Sequence, residues 1–131
     1  MADKNKTILV VDDDIDLLLQ MKINLEAAGY TVVTSESEAE AKKVLESVRP
    51  DCAVCDLMME NMDAGFSLSY HIKKIDKTIP VIIVTAVTHE TGLDFDTESR
   101  SGRSWMKADA VLAKPVRFEQ LIREVDRLLE G

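Results

Sequence analysis

The chain has 131 residues, 46% hydrophobic and 31% charged, which is typical of one soluble globular domain. Sixteen basic residues against 24 acidic ones give a formal net charge of -8, which argues against direct binding to nucleic acids. The polar residues 1–6, with only a short apolar run after them, indicate neither a signal peptide nor a membrane span, so we expect a cytoplasmic protein.

Short apolar runs alternate with helical patterns along the chain. The predicted strands are 7–11, 30–34, 52–56, 81–84 and 110–113, and the predicted helices are 15–28, 36–48, 66–75 and 118–129. We expect Gly29 to end the first helix and Ser35 to cap the second. This order predicts a single α/β domain over residues 1–131, with a five-stranded parallel sheet of the flavodoxin-like doubly wound type and strand order 2-1-3-4-5.

Residues 86–109 depart from this alternation. They are rich in Gly, Ser and Thr and have no clean helical period, although they must connect the fourth and fifth strands. Twenty-four residues is long for such a connection, and long irregular loops are usually functional or mobile. We therefore predict an atypical crossover with an extended loop.

The third predicted strand contains both cysteines, Cys52 and Cys55, and ends in Asp56. Residues three apart on a strand point to opposite faces, so the two thiols are expected neither to bridge nor to share a metal. We interpret them as small buried hydrophobic residues.

Polar side chains stand where four of the five predicted strands end. They are Asp12 and Asp13 after the first strand, Asp56 at the end of the third, Thr85 after the fourth and Lys114 after the fifth. In a parallel sheet these ends lie at one edge, where such folds bind their ligands. Three carboxylates repel one another unless a cation joins them, and oxygen ligands suit Mg²⁺, with Mn²⁺ as an alternative.

Charge neutralisation at this edge favours phosphoryl transfer. A metal and the Lys114 ammonium group would lower the cost of bringing a phosphoryl group to Asp56, and Thr85 would offer a hydroxyl donor to its oxygens. The pattern therefore predicts Asp56 as a nucleophile that forms an aspartyl phosphate.

The order and spacing of these residues resemble the receiver domain of two-component response regulators. The matching motifs are Asp12-Asp13, Asp56, Thr85-Ala86 and Lys114-Pro115. The resemblance implies that Asp13 ligates Mg²⁺ directly, that Asp12 assists through a water and that Met58 contributes its backbone carbonyl. It also implies a cis Lys114–Pro115 peptide bond, which is common in that family.

The function that the resemblance implies is signalling. A histidine kinase or histidine phosphotransfer domain would donate the phosphoryl group to Asp56, and the changed surface would alter binding to an unknown downstream protein. A phosphorylation-dependent dimer is compatible with this scheme, whereas contact of this domain with nucleic acid or membrane is not expected. The domain would not be an enzyme, beyond its own phosphotransfer and slow dephosphorylation.

The sequence departs from the family pattern near the site. Glu60 stands where receivers often have a proline, four residues after the phosphorylated aspartate. Val111 stands where they usually have Tyr or Phe, three residues before the lysine. The usual coupling between Thr85 and an aromatic side chain is therefore in doubt, although phosphorylation is not.

The first helix has apolar residues over roughly two-thirds of its circumference, more than one buried face needs. They are Ile15, Leu17, Leu18, Leu19, Met21, Ile23 and Leu25. One interpretation is a broad core face. The other is an exposed strip that docks a partner. In receivers this helix commonly contacts the phosphodonor histidine domain.

Two other functions fit parts of the pattern. The run Asp12-Asp13-Asp14 after a strand resembles the nucleophile motif of haloacid-dehalogenase-type phosphatases, although that leaves Asp56 unexplained and the chain is short for the fold. Asp14 is also a natural helix cap. The second alternative is a receiver-like docking domain that is never phosphorylated.

The two positions that modulate water attack on the phosphoryl group in receivers are apolar in this chain. They are Met58 and Val87, two residues beyond Asp56 and Thr85. Because neither side chain can orient a hydrolytic water, we predict slow self-dephosphorylation. The measurement is the decay of the phosphorylated protein in the absence of a phosphatase, and decay within seconds would contradict the prediction.

Overall fold

The computed structural model describes residues 6–57, 64–85 and 108–130, which form a parallel sheet with helices on both faces. The strands are β1 (Thr7–Val11), β2 (Thr31–Ser35), β3 (Cys52–Asp56), β4 (Val81–Thr85) and β5 (Ala110–Ala113). The helices are α1 (Ile15–Ala27), α2 (Glu38–Val44), α3 (Ala64–Ile75) and α4 (Phe118–Glu130). Across the sheet the order is β2-β1-β3-β4-β5, which confirms the predicted topology.

The sheet separates two hydrophobic clusters. On one face, alternate residues of β1 such as Ile8 and Val10 pack with the inner residues of α1 and α4. On the other face, Leu9 and Val11 pack with α2 and α3. Because β1, β3 and β4 are covered on both sides, their sequences are continuous apolar runs rather than alternating ones.

The two cysteines lie on opposite faces of β3, as predicted. Cys52 belongs to the cluster beneath α1 and α4, and Cys55 to the cluster beneath α2 and α3. Both thiols are free and buried, and burial raises the pKa of Cys52 to about 12. They therefore act as packing residues.

The first helix ends as predicted. Gly29 has φ 106°, and its amide donates to the carbonyl of Glu26 at 3.0 Å. The amide of Tyr30 donates to the carbonyl of Leu25 at 3.1 Å, which completes a Schellman motif. A glycine is favoured here because the left-handed backbone region penalises a Cβ.

The predicted cap of the second helix was wrong. The N-cap is Ser37, whose side chain accepts from the amide of Glu40 at 3.1 Å, while the Glu40 carboxylate accepts from the amide of Glu36 at 3.0 Å. Ser35 instead pairs with Val11 as the last residue of β2 and is buried. The regular helix also ends at Val44, four residues before the predicted end, and passes into turns.

A partly buried ion pair fixes the chain where β5 begins. The Lys73 ammonium group donates to Asp109 Oδ2 at 2.8 Å and to the Ile79 carbonyl at 2.7 Å. The same Asp109 oxygen accepts from the amide of Val81 at 2.8 Å. This Lys73–Asp109 clasp ties the residue before β5 to the start of β4. Residues 86–107 lie outside the described residues, so the extended loop over 86–109 stays a prediction.

No helix in the described part of the chain is long and apolar enough to cross a membrane.

Candidate functional site

Strand register brings the predicted site residues to one edge of the sheet. Val11 pairs with Cys55, so Asp12 follows β1 beside Asp56 at the end of β3. Thr85, at the end of β4, pairs with Ala113, and Lys114 follows directly. The amide of Lys114 donates to the Thr85 carbonyl at 2.8 Å, which extends the ladder to this residue. The convergence predicted from the strand ends is therefore present.

Three carboxylates meet at this edge. One oxygen each from Asp12, Asp13 and Asp56 lies within 4.8 Å of the other two. Asp12 is fully buried and Asp56 is 5% exposed, whereas Asp13 is exposed. Asp12 Oδ1 accepts from the amide of Asp14 at 2.8 Å, a backbone contact that no sequence signal reveals.

Lys114 supplies the positive charge among them. Its Nζ lies 3.3 Å from Asp56 Oδ1 and 3.4 Å from Asp12 Oδ2. The Lys114–Pro115 peptide bond is cis, as the family resemblance implied. Three ionised carboxylates and one ammonium group leave two excess negative charges in a largely buried site.

Burial sets the protonation behaviour of the site. It raises the pKa of Asp56 to about 6, and the charge of Asp12 adds to the shift while Lys114 opposes it. Burial likewise raises the pKa of Asp12, although the hydrogen bond from the Asp14 amide and the charge of Lys114 each lower it. Burial alone would lower the pKa of Lys114, but Asp12 and Asp56 outweigh it and the pKa is raised. The lysine is therefore held as a cation.

The donor set fits a hard divalent cation. Asp12 Oδ2 is buried and has no hydrogen-bond partner among the described residues, although it lies within ion-pair distance of Lys114. Carboxylate oxygens from Asp12, Asp13 and Asp56 are the ligand type that Mg²⁺ prefers, and a divalent ion matches the excess charge. Met58, the predicted carbonyl ligand, lies outside the described residues.

Thr85 and Val111 lie on adjacent strands. They occupy the two positions at which receivers usually couple a threonine to an aromatic side chain. Thr85 is 2% exposed at the end of β4. Val111 pairs with Ile83 and packs, half-buried, against the cluster beneath α2 and α3. A valine is smaller than the Tyr or Phe expected at this position.

The apolar residues of α1 divide between core and surface. Leu18, Met21 and Leu25 are buried. Ile15, Leu19 and Ile23, spaced four residues apart, are 61%, 53% and 56% exposed, and we call them the α1 strip. This resolves the two interpretations in favour of an exposed strip on α1.

A surface pocket adjoins the site on the α1 side. It has a volume of about 370 Å³ and lies between α1 and the connection from β5 to α4. Asp14, which caps α1 by accepting from the amide of Leu17 at 3.2 Å, lines it together with Lys114 and Phe118. The site is thus open to a partner from the side on which α1 begins.

Replacing Asp56 with asparagine should stabilise the metal-free protein. The native pKa of about 6 exceeds the ordinary 3.8, so the ionised carboxylate destabilises the fold, and stability is lost as pH rises from about 4 through 6. Asp56→Asn removes that charge, and we expect the free energy of unfolding at pH 7.5 to rise by roughly 1–2 kcal/mol. The measurement is urea unfolding with a chelator present.

At pH 4.5 the gain from Asp56→Asn should shrink, because the native carboxyl is then mostly protonated. The matched control is Glu46→Gln, an exposed charge removal that should change little at either pH. A destabilised Asp56→Asn protein at pH 7.5 would contradict the assigned cause.

Comparison with known proteins agrees with this geometry. The family model described as "Response regulator receiver domain" matches residues 8–126. Among curated proteins, the transcriptional regulatory protein GlrR of Escherichia coli is 37% identical over 130 residues. That match covers 99% of this chain and 28% of GlrR, so the chain spans little more than a quarter of this relative.

Solved structures show the same architecture. The receiver domain of Francisella response regulator 1452 has a TM-score of 0.79 and 29% identity, with 96% of this chain and 98% of that chain covered. Response regulator TrrA of Thermotoga maritima, solved in complex with Mg²⁺–BeF, has a TM-score of 0.78 and 28% identity, covering 95% of this chain and 100% of its own. With a family match over residues 8–126 and this sheet order, the chain belongs to the response regulator receiver domain family of two-component systems.

Proposed function

We propose that this receiver accepts a phosphoryl group on Asp56 from the phosphohistidine of a histidine kinase or histidine phosphotransfer domain. The observation that carries the proposal is the position of Lys114, whose ammonium group lies 3.3 and 3.4 Å from the carboxylates of Asp56 and Asp12. A lysine held between two buried carboxylates forms a site for the negatively charged oxygens of a phosphoryl group.

The reaction uses the residues in distinct roles. The Asp56 carboxylate is mostly ionised at pH 7, because its pKa is about 6. One of its oxygens attacks phosphorus, an O–P bond forms, and the N–P bond of the phosphohistidine breaks with its electron pair passing to the imidazole. Lys114 neutralises a phosphoryl oxygen, and the Thr85 hydroxyl donates to another.

Mg²⁺ is proposed as the partner of the acidic cluster, with Mn²⁺ as a substitute. Asp12, Asp13 and Asp56 would hold it, together with the Met58 carbonyl. When bound, it would neutralise charge that develops on the transferred group. Asp12 Oδ2, a buried carboxylate oxygen whose neighbour among the described residues is the Lys114 ammonium group, supports this assignment, and so does the relative TrrA, which was solved in complex with Mg²⁺–BeF.

The phosphatase alternative is not supported. Its nucleophile motif required Asp12 and Asp14, but the side chain of Asp14 caps α1. The chain also belongs to a family of signalling domains whose curated relatives are transcriptional regulators. The remaining alternative is a receiver-like docking domain that is never phosphorylated. The labelling experiment below distinguishes it from a phosphoacceptor.

The α1 strip supports docking of the phosphodonor. Ile15, Leu19 and Ile23 expose more than half of their surface. They lie on α1, the helix from which Leu17 and Gln20 line the pocket beside Lys114. Helical bundles present apolar side chains at the same spacing, so a helix of the donor can pack along the strip. Contact there would bring a phosphohistidine toward Asp56.

The output of the domain is also a proposal. The GlrR relative is a transcriptional regulatory protein of which this chain spans 28%. We propose that phosphorylation changes the affinity of the receiver surface for a downstream protein, with a phosphorylation-dependent dimer as one form of that change. The proposed setting is the cytoplasm, where such kinases present their phosphohistidine.

Labelling by a small phosphodonor tests the phosphoacceptor assignment. Incubation with acetyl phosphate or phosphoramidate and Mg²⁺ should add one phosphoryl group, detected by intact-protein mass spectrometry. Asp56→Asn should abolish the label, because asparagine lacks the nucleophilic oxygen. Lys114→Gln should slow it by at least about tenfold, because a charge at the transferring oxygens is lost.

The matched control for labelling is Asp16→Asn, which removes a carboxylate on the first turn of α1 without touching the acidic cluster. It should label like the unmodified chain, and a chelator should suppress labelling of both. Normal yield on Asp56→Asn would refute the assignment, and no labelling of the unmodified chain would favour the docking-domain alternative.

A substitution in the α1 strip should slow phosphoryl transfer from a histidine kinase without changing the reactivity of Asp56 toward a small phosphodonor. With a histidine kinase that phosphorylates the unmodified chain, Leu19→Glu should lower the rate of transfer by at least about tenfold, because it places a charge in an apolar contact. Labelling by acetyl phosphate should be unchanged. The control is Glu46→Lys, an exposed change away from α1, and equal loss in both variants would contradict docking on the strip.

A further inference from the structure

A second surface feature lies on α3. Tyr70 is 52% exposed, and the Lys74 ammonium group sits 5.4 Å from the centroid of its ring. These two residues line a surface depression of about 270 Å³ together with Lys73 and Lys77. We call Tyr70, Lys74 and Lys77 the α3 patch.

The charges of the α3 patch are not neutralised locally. Lys73 forms an ion pair with Asp109. Lys74 and Lys77 form no ion pair with any residue that the structure describes. Asp76, the acidic neighbour in sequence, pairs instead with Arg49 at 3.4 Å and accepts from the Thr78 amide and hydroxyl. Within the described part of the chain these two ammonium groups therefore form a local positive surface.

Helix stability does not account for the whole patch. Lysine in the last turn of a helix interacts favourably with the helix dipole, which explains Lys74. Lys77 lies beyond the end of α3 at Ile75. The helix dipole also does not explain why an aromatic ring, that of Tyr70, lies beside Lys74. The ammonium group over the ring favours an arrangement in which the exposed Tyr70 and Lys74 side chains lie together.

The patch is remote from the phosphoacceptor edge. Each helix of a parallel sheet runs back from the carboxyl edge, so α3 ends near the start of β4, opposite Asp56. A partner on the α3 patch would therefore leave the α1 side of the site accessible.

We propose that the α3 patch docks an acidic segment of a partner protein, whose carboxylates pair with Lys74 and Lys77 while an apolar side chain packs on Tyr70. Charge complementarity favours this occupant. An anionic membrane or a nucleic acid requires a larger cluster of cations than this pair of lysines provides.

The test uses the full Asp56→Asn chain, so that phosphorylation plays no part and failure leaves the phosphoacceptor proposal untouched. The probe is a synthetic peptide of alternating Asp and Leu, and its control has Asn in place of Asp. Titration followed by amide NMR should shift Tyr70, Lys74 and Lys77. Lys74→Gln combined with Lys77→Gln should weaken binding by at least about fivefold, as expected for two surface pairs.

The matched control is Lys22→Gln combined with Lys43→Gln, which removes the same charge from α1 and α2. It should weaken binding by less than about twofold. Tyr70→Ser should weaken binding while leaving the thermal midpoint nearly unchanged, because the ring is half exposed.

Several outcomes would overturn the proposal. They are equal weakening by the two lysine pairs, equal binding of the Asn peptide, or peptide-induced shifts confined to α1. Self-association that Tyr70→Ser abolishes would assign the patch to a second copy, and tighter binding to phosphatidylserine vesicles than to the peptide would assign it to a membrane.

Discussion

The site depends on one constraint, the burial of two carboxylates beside a single ammonium group. Asp12 and Asp56 are almost fully enclosed, and Lys114 lies within ion-pair distance of both. Buried charges are costly unless they are paired, and Asp13 adds a third carboxylate to a site in which Lys114 is the one cation among the described residues. The apolar strands on both faces of the sheet offset this cost and keep the groups in place. The result is a site whose excess negative charge a divalent cation would balance.

Much of this arrangement was predictable because polar residues end apolar runs. A carboxylate, a hydroxyl or an ammonium group at the end of a buried strand has no role in the core, and parallel order brings all such ends to one edge. The separation of Cys52 and Cys55 followed equally from the alternation of side chains on a strand. These inferences needed only local patterns and the topology.

Other features depended on tertiary contacts that no local pattern encodes. Ser35 and Ser37 are both acceptable caps, and only the extent of pairing between β1 and β2 assigns Ser35 to the strand. The division of α1 into buried and exposed apolar residues depends on how the helix packs over the sheet. The raised pKa of Asp56 likewise comes from enclosure by neighbouring elements. The carbonyl ligand at Met58 and the loop over 86–109 remain predictions.

The Lys73–Asp109 clasp has an evolutionary consequence. β5 is secured at its beginning by that ion pair and at its end by the bond from the Lys114 amide to Thr85, so one anchor lies on α3 and the other on β4. The placement of the Lys114 ammonium group is thereby decoupled from the length of chain between β4 and β5. Insertions or substitutions within that connection can accumulate without displacing the group that faces Asp56. The connection between β4 and β5 can therefore differ among related proteins while the chemistry at Asp56 stays the same.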